Sequence, residues 1–174
     1  MLNIVKKLRC FPLLFLTLIT MGASATQQIR EVLELDGARF DIDEFPLDSH
    51  PEIVELVKKI DSRTCSAAWR GYKALWTIRK DKLYLSHIVK NPCAEKSRRK
   101  LRSAEYIYPN NLFNTETSDY IANWYSGKIT FRISDKVYVY KSGVTGQKYE
   151  AVVYDILNGE VISRNIETVE RIWE

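Results

Sequence analysis

The sequence predicts a mainly β (β-rich α+β) fold, namely an antiparallel curled sheet or partly open barrel of about eight strands with one or two short helices. Three observations favour this fold class. Apolar and polar residues alternate over short runs, as they do in half-buried strands. The dipeptides Asp36-Gly37 and Asn158-Gly159 are typical of tight hairpin turns. Helical periodicity is confined to short segments that are not long enough to set the architecture.

Strand-like segments follow one another in pairs along the chain. The first pair flanks Asp36-Gly37, and the last pair flanks Asn158-Gly159. The third pair turns at Ser134-Asp135, and the stretch Ser142–Gln147 is predicted to be a loop. The predicted pairs are 31–35 with 39–42, 69–79 with 83–90, 128–134 with 137–140, and 149–157 with 161–165.

Helical patterns occur in two places. The segment from Pro51 to Lys59 has proline at the first helical position, and Ile53, Val54 and Val57 would share its buried side. The segment from Ser118 to Tyr125 would be capped by Ser118 and ended by Gly127.

The first 25 residues have the pattern of a cleaved export signal. Lys6, Lys7 and Arg9 precede an apolar run, and Ala23-Ser24-Ala25 supplies the small residues that a signal peptidase requires. No second apolar segment of about 18 residues follows, so no membrane-spanning helix is expected after cleavage. We therefore expect a periplasmic or secreted protein.

The predicted mature chain, residues 26–174, has the length of a single domain. The leader carries three of the 26 basic residues and no acidic residue, so cleavage leaves 23 basic against 22 acidic residues, a net charge of +1. This balance, together with export, argues against nucleic acid as a partner.

Cys65 and Cys93 are the cysteines that remain after cleavage. In an oxidising compartment such a pair is most simply a disulfide, and this one would tie the open end of the second hairpin. Closing a loop of this length stabilises a protein by about 3–4 kcal/mol. The alternative is a Cys65 thiolate activated by His87, which would suit a cell-wall hydrolase.

Aromatic residues cluster near the second hairpin and before the third. They either line a face that stacks on sugars, lipids or a partner, or they fill the inside of a curled sheet. Arg70 either holds an anionic group or pairs with a carboxylate at the end of the sheet. The candidate binding residues are Trp69, Arg70, Tyr72, Trp76, Trp124 and Tyr125.

Other chemistry-bearing patterns are weak. His50 and His87 have no metal-ligand spacing, and no nucleophile elbow, phosphate loop or dinucleotide fingerprint occurs. The sequence therefore predicts no catalytic residue, no metal ligand and no cofactor. The segment Lys96 to Arg102 carries five positive charges, which favours either a solvated loop or an anionic partner.

The motif Trp69-Arg-Gly-Tyr72, continued by Trp76-Thr-Ile78 and Leu83-Tyr-Leu85, resembles a family of uncharacterised bacterial proteins. Ala122-Asn-Trp-Tyr-Ser-Gly127 is similar to a second motif of that family. The resemblance implies a β-rich domain and a bacterial envelope setting, and it implies no activity.

These features predict an exported, non-enzymatic binding protein. Its most concrete form is an inhibitor or immunity-type protein against a toxin or hydrolase that acts in the cell envelope. The alternatives are a small-ligand carrier for a sugar or lipid and the Cys65-dependent cell-wall hydrolase.

Overall fold

The computed structural model describes residues 27–61, 63–95, 105–113, 115–116, 120–141 and 143–173. The predicted leader (1–25), the basic segment from Lys96 to Arg102 and the predicted cap Ser118 lie outside these residues. In chain order the strands are β1 (Val32–Leu35), β2 (Ala38–Asp41), β3 (Tyr72–Arg79), β4 (Lys82–Lys90), β5 (Tyr106–Ile107), β6 (Tyr120–Ile121), β7 (Gly127–Arg132), β8 (Val137–Lys141), β9 (Val144–Leu157) and β10 (Glu160–Trp173). The helices are α1 (Ile53–Ile60), α2 (Pro92–Glu95) and α3 (Pro109–Phe113), with a 3-10 turn at Pro46–Ser49.

All the described strands belong to one curled sheet, as the sequence predicts. Its main path runs β2-β1-β3-β4-β10-β9-β7, while β5 and β6 pair with β4, and β8 pairs with β9. Neighbouring strands are antiparallel except β1 and β3, which are parallel. The ends of the path meet at a single bridge between Ile42 and Phe131. The sheet is therefore curled without being closed by a continuous ladder.

The inside of the curl is the main hydrophobic core. Leu33 of β1, Trp76 of β3 and Ile129 of β7 are completely buried there. Helix α1 packs Leu56 and Ile60 against the same core. A smaller cluster of Val32, Leu75 and Val89 forms on the other face of the sheet, because side chains alternate along each strand.

The predicted tight turns are confirmed. Asp36 and Gly37 have φ values of 49° and 80°, and Asn158 and Gly159 have values of 49° and 79°. Positive φ at both central residues is what a type I′ turn requires, and asparagine, aspartate and glycine adopt it most readily. These turns join β1 to β2 and β9 to β10.

One predicted pairing and one predicted loop differ from the structure. The third predicted hairpin is wrong, because β7 and β8 both pair with β9 and not with each other. The predicted loop Ser142–Gln147 is also wrong, since β9 begins at Val144 and is long enough to hold both partners. The second hairpin is confirmed with shorter bounds, starting at Tyr72 and turning at Lys80 and Asp81.

The helix predictions are partly wrong. Helix α1 begins at Ile53, and it buries Leu56 and Ile60, whereas Val54 is 65% exposed and Val57 39%. The described part of the predicted Ser118–Tyr125 helix is strand β6 followed by a turn. Tyr120 and Ile121 pair with β4, whose free edge offers them backbone hydrogen bonds that a short helix would lack.

Candidate functional site: a cationic cleft beside Trp69

Asp48 joins two of the predicted binding residues at the rim of the sheet. Its Oδ2 accepts a hydrogen bond from Arg70 Nε at 2.5 Å, and its Oδ1 accepts one from the Tyr72 hydroxyl at 2.6 Å. The Arg70 guanidinium also lies over the rings of Phe45 and Trp69, 3.7 and 4.3 Å from their centroids. Arg70 is therefore neutralised within its own chain, and Trp69, which is 60% exposed, is the part of this group that faces solvent.

Behind this rim lies a carboxyl group inside the core. Glu31 is buried, and its Oε2 accepts a hydrogen bond from Trp76 Nε1 at 2.6 Å, while Oε1 has no partner among the described residues. Burial raises the pKa of Glu31 to about 8, and the Trp76 hydrogen bond opposes this shift without cancelling it. Burial, followed by the hydrogen bond to Asp48, also raises the pKa of Tyr72.

The other predicted binding residues contribute to packing. Trp76 is completely buried, and Tyr125 is buried with its hydroxyl donating to the Lys128 carbonyl oxygen at 2.5 Å. Burial raises the pKa of Tyr125 as well. Trp124 is half-buried, donates from Nε1 to the Pro46 carbonyl oxygen at 3.2 Å and meets the His50 ring edge-on. Rings from distant segments thus pack on one another within the curl.

Cys65 and Cys93 form the predicted disulfide, with 6.7 Å between their Cα atoms. It ties the segment before β3 to helix α2 after β4, at the open end of that hairpin. His87 instead contacts Ser86 Oγ through Nδ1 at 3.1 Å, and its ring packs against Tyr106 and Tyr108. The Cys65 sulfur is therefore bonded to Cys93 and is not a free thiolate.

A cleft of about 670 Å³ lies on the surface near the beginning of β3 and the end of β7. Five cationic side chains and a single carboxylate contribute to its lining: Arg30, Arg39, Lys73, Arg132, Lys136 and Asp41. Phe40 and Pro92 add apolar surface, and Gln27, Gln28 and Ile29 complete the wall.

The cations of the cleft differ in their partners. Arg30 is paired with Asp43 at 2.6 Å, and Arg39 with Glu34 at 3.0 Å. Arg132 and Lys136 are exposed, and no carboxylate of the described residues lies within ion-pairing distance of them. Their charge is therefore available to an anionic group that enters the cleft.

Gln28 connects the cleft to Trp69. Its Oε1 accepts a hydrogen bond from the Trp69 backbone N–H at 3.4 Å, and its Nε2 donates to the Ser66 carbonyl oxygen at 2.9 Å. The Trp69 backbone is therefore linked to a residue of the cleft wall, and Arg70 is stacked on the Trp69 ring. Trp69 and Arg70 are not among the residues that line the cleft, and Trp76 and Tyr125 lie inside the core.

Sequence reasoning missed the cleft because its cations are dispersed. They come from the segment before β1, from β2, from β3 and from the end of β7 with the turn that follows. The densest cationic run in the sequence, Lys96 to Arg102, lies outside the described residues. The register of the folded sheet brings the five residues together, so no linear pattern could have indicated them.

Comparison with protein-family models, with curated proteins and with solved structures finds no match to this chain. No group of three or more histidine, cysteine, aspartate or glutamate side chains in the described ranges is arranged to hold a metal ion. Within those same ranges, no helix is long and apolar enough to cross a membrane.

Proposed function

We propose that the protein is an exported, non-catalytic binding protein that receives an acidic segment of a partner protein in its cationic cleft. An inhibitor or immunity-type protein against an envelope-acting toxin or hydrolase would work in this way. The observation that carries the proposal is the lining of the cleft, where five cations face one carboxylate around about 670 Å³.

The lining suits side-chain carboxylates of a protein. Arg132 and Lys136 offer unpaired charge, and the Arg30 and Arg39 guanidinium groups keep donors beyond those used by Asp43 and Glu34. Phe40 and Pro92 provide apolar contact beside them. The exposed, arginine-stacked Trp69, whose backbone is hydrogen-bonded to Gln28 of the cleft wall, is of the residue type that contributes most to protein interfaces. Electrostatic attraction would speed the encounter, and Trp69 would slow dissociation.

The disulfide supports the exported setting of this proposal. Structural disulfides persist in the periplasm and outside the cell, and they are rare in the reducing cytosol. The Cys65–Cys93 bond agrees with the export signal predicted over residues 1–25. The hydrolase alternative depended on a Cys65 thiolate, and the carrier alternative on an aromatic cavity. Trp76, Phe113, Tyr120 and Trp124 form a chain of ring contacts instead, so we favour the protein-binding function.

A charge-reversal experiment tests the cleft. The variant Arg132→Glu/Lys136→Glu changes the two unpaired cations, and the probe is a synthetic oligoglutamate peptide followed by titration calorimetry. We expect the affinity of the variant to fall about tenfold or more, and the affinity of the wild type to fall with added salt. The matched control is Lys58→Glu/Lys80→Glu, which changes the charge equally at exposed positions outside the cleft.

The same variants test whether the cleft binds a natural protein partner from the cell envelope. Co-purification from envelope extracts should recover one stoichiometric protein with the wild type and with the control, and none with the cleft variant. Equal recovery with both variants would contradict the proposal, as would release of fragments from purified peptidoglycan by the wild type.

A further inference from the structure

The last strand leaves a long edge of the sheet open. β10 pairs with β4 only at Glu160, and from Ser163 to Trp173 its ladder, in the part of the chain that the structure describes, is with β9 alone. The register shifts between Val161 and Ser163, and β4 pairs with β6 and β5 from Tyr84 onward. The backbone donors and acceptors of this edge therefore face away from the rest of the sheet.

The exposed edge carries apolar residues among charged ones. Ile166 is 65% exposed, Ile172 43% and Trp173 46%. Proteins usually protect a long edge strand by shortness, proline, charged side chains or a bulge, because an open apolar edge pairs with other strands. Residues 163–173 contain neither proline nor lysine, the bulge lies before them, and their four charges are two arginines and two glutamates, which can attract one another across a strand pair. The edge is thus suited to pairing with another strand.

The sequence of the edge is self-complementary about Val169. Ile166 and Ile172 are equidistant from it, as are Glu167 and Arg171. In an antiparallel pair with its own copy, each residue faces the residue at the same distance on the other side of the centre. Val169 then faces Val169, Ile166 faces Ile172, and Glu167 faces Arg171 on the same face of the sheet.

From this complementarity we propose that the protein forms a homodimer in which two β10 strands pair antiparallel about a twofold axis at Val169. The pairing places an ion pair on each side of the axis and apolar contacts at the centre and on both flanks. Shifting the centre to Glu167 would put two glutamates opposite each other, which is unfavourable. The same patch serves both copies, as a twofold interface requires.

The charged groups near the axis agree with this register. Arg171 is ion-paired with Asp43 of its own chain, and Glu167 Oε1 lies 3.8 Å from Lys128 Nζ. An arginine has five donors, so Arg171 can bind Asp43 and a second carboxylate together.

A pair of lysine substitutions on neighbouring residues tests the proposal. Val169→Lys puts two lysines opposite each other at the axis, so we expect the dimer to dissociate to monomer in sedimentation velocity. Thr168→Lys introduces the same side chain one residue earlier, where it would face Glu170 of the second copy, so this variant should remain dimeric. Circular dichroism and thermal unfolding of both variants report whether each is folded.

Cysteine cross-linking tests the register in which the two β10 strands pair. Val169→Cys places two thiols across the axis, and mild oxidation should link the two chains covalently, as seen on a non-reducing gel. Glu167→Cys should link far less, because residue 167 faces residue 171. A monomeric wild type, a folded dimeric Val169→Lys variant, or preferential linking through position 167 would each overturn the proposal.

Discussion

Among the described residues, no cationic side chain lies within ion-pairing distance of the buried Glu31 carboxyl group. Side chains alternate between the two faces of a strand, so residues 31 and 33 point to the same face. Because Leu33 lies in the core, Glu31 points into the core as well. Trp76 supplies a hydrogen bond to one oxygen, and the other has no described partner. The protonated form is favoured in the fold because burying a charged carboxylate is expensive.

Replacing Glu31 by glutamine should make the stability less dependent on pH. The folded-state pKa of about 8 lies above the ordinary glutamate pKa of 4.5, so the unfolded chain releases a proton that the folded chain retains. Wild-type stability therefore falls as the pH rises through this window, by a total on the order of several kcal/mol. Glutamine carries no proton to release, so Glu31→Gln should gain stability relative to wild type between pH 4.5 and about 8.

Urea unfolding at the two ends of that pH window measures the effect. The matched control is Glu34→Gln on the same strand, where the carboxylate lies at the surface beside Arg39. Its difference from wild type should be similar at both pH values. A difference between Glu31→Gln and wild type that does not change with pH would contradict this account of Glu31.

Among the elements, the turn between β9 and β10 is tightly packed against the segment that follows β6. Gly159 has a positive φ of 79°, and a Cβ there would lie 2.8 Å from the backbone of Ala122. The Gly159 backbone also donates to the Tyr125 carbonyl oxygen and accepts from the Leu83 N–H. This turn therefore holds the segment after β6 against the β4–β10 junction.

Gly159→Ala should destabilise the protein more than Gly37→Ala. Both glycines have positive φ, which costs alanine about 1–2 kcal/mol. A Cβ at Gly37 would meet nothing within 4 Å, whereas at Gly159 it would overlap backbone that cannot move freely. We expect the second effect to add about 1–3 kcal/mol, measured by thermal or urea unfolding. Equal costs at the two positions would show that the close approach to Ala122 is not maintained.

The elements also show which features the sequence could predict. Asp36-Gly37 and Asn158-Gly159 specify local backbone conformations, so their hairpins were predicted correctly. Strand partners depend on contacts between distant residues, which is why β7 and β8 were paired with each other in error when both pair with β9. The predicted helix before Tyr125 failed for the same reason, since the edge of β4 recruits Tyr120 and Ile121.

The candidate site was predicted only in part for a related reason. Trp69 and Arg70 could be identified because they are adjacent in a distinctive motif. Asp48, which neutralises Arg70, lies 22 residues away, and no periodic pattern links the two. Similarly, the cleft cations become neighbours only when the two ends of the sheet approach each other.

Across the whole molecule, Asp43 joins the beginning and the end of the described chain. It pairs with Arg30 before β1 and with Arg171 near the end of β10, and its backbone N–H donates to the Thr130 carbonyl oxygen of β7. These contacts lie beside the Ile42–Phe131 bridge, where the two ends of the sheet meet. Asp43 therefore stabilises the contact between the two ends of the sheet, which a single bridge joins in place of a continuous ladder.

Asp43→Asn should weaken the contact between the two ends of the sheet. We expect a loss of about 1–2 kcal/mol in the free energy of unfolding, because both ion pairs are partly exposed and therefore only moderately strong. The loss should shrink in about 1 M salt, which screens charges at the surface. Hydrogen exchange of the residue 43 amide, which donates to the Thr130 carbonyl oxygen across this closure, should quicken in the variant. An unchanged exchange rate would mean that Asp43 has no part in the closure.

The strand order has a consequence for how the chain acquires its fold. β10 is formed by the last described residues, and at Glu160, where it begins, it lies between β4 and β9. Strands β1 to β6 can pair among themselves, but their junction with the β9–β10 hairpin needs Glu160 to reach Lys82. Contacts so distant along the chain form slowly, so we expect this junction to form after the local hairpins.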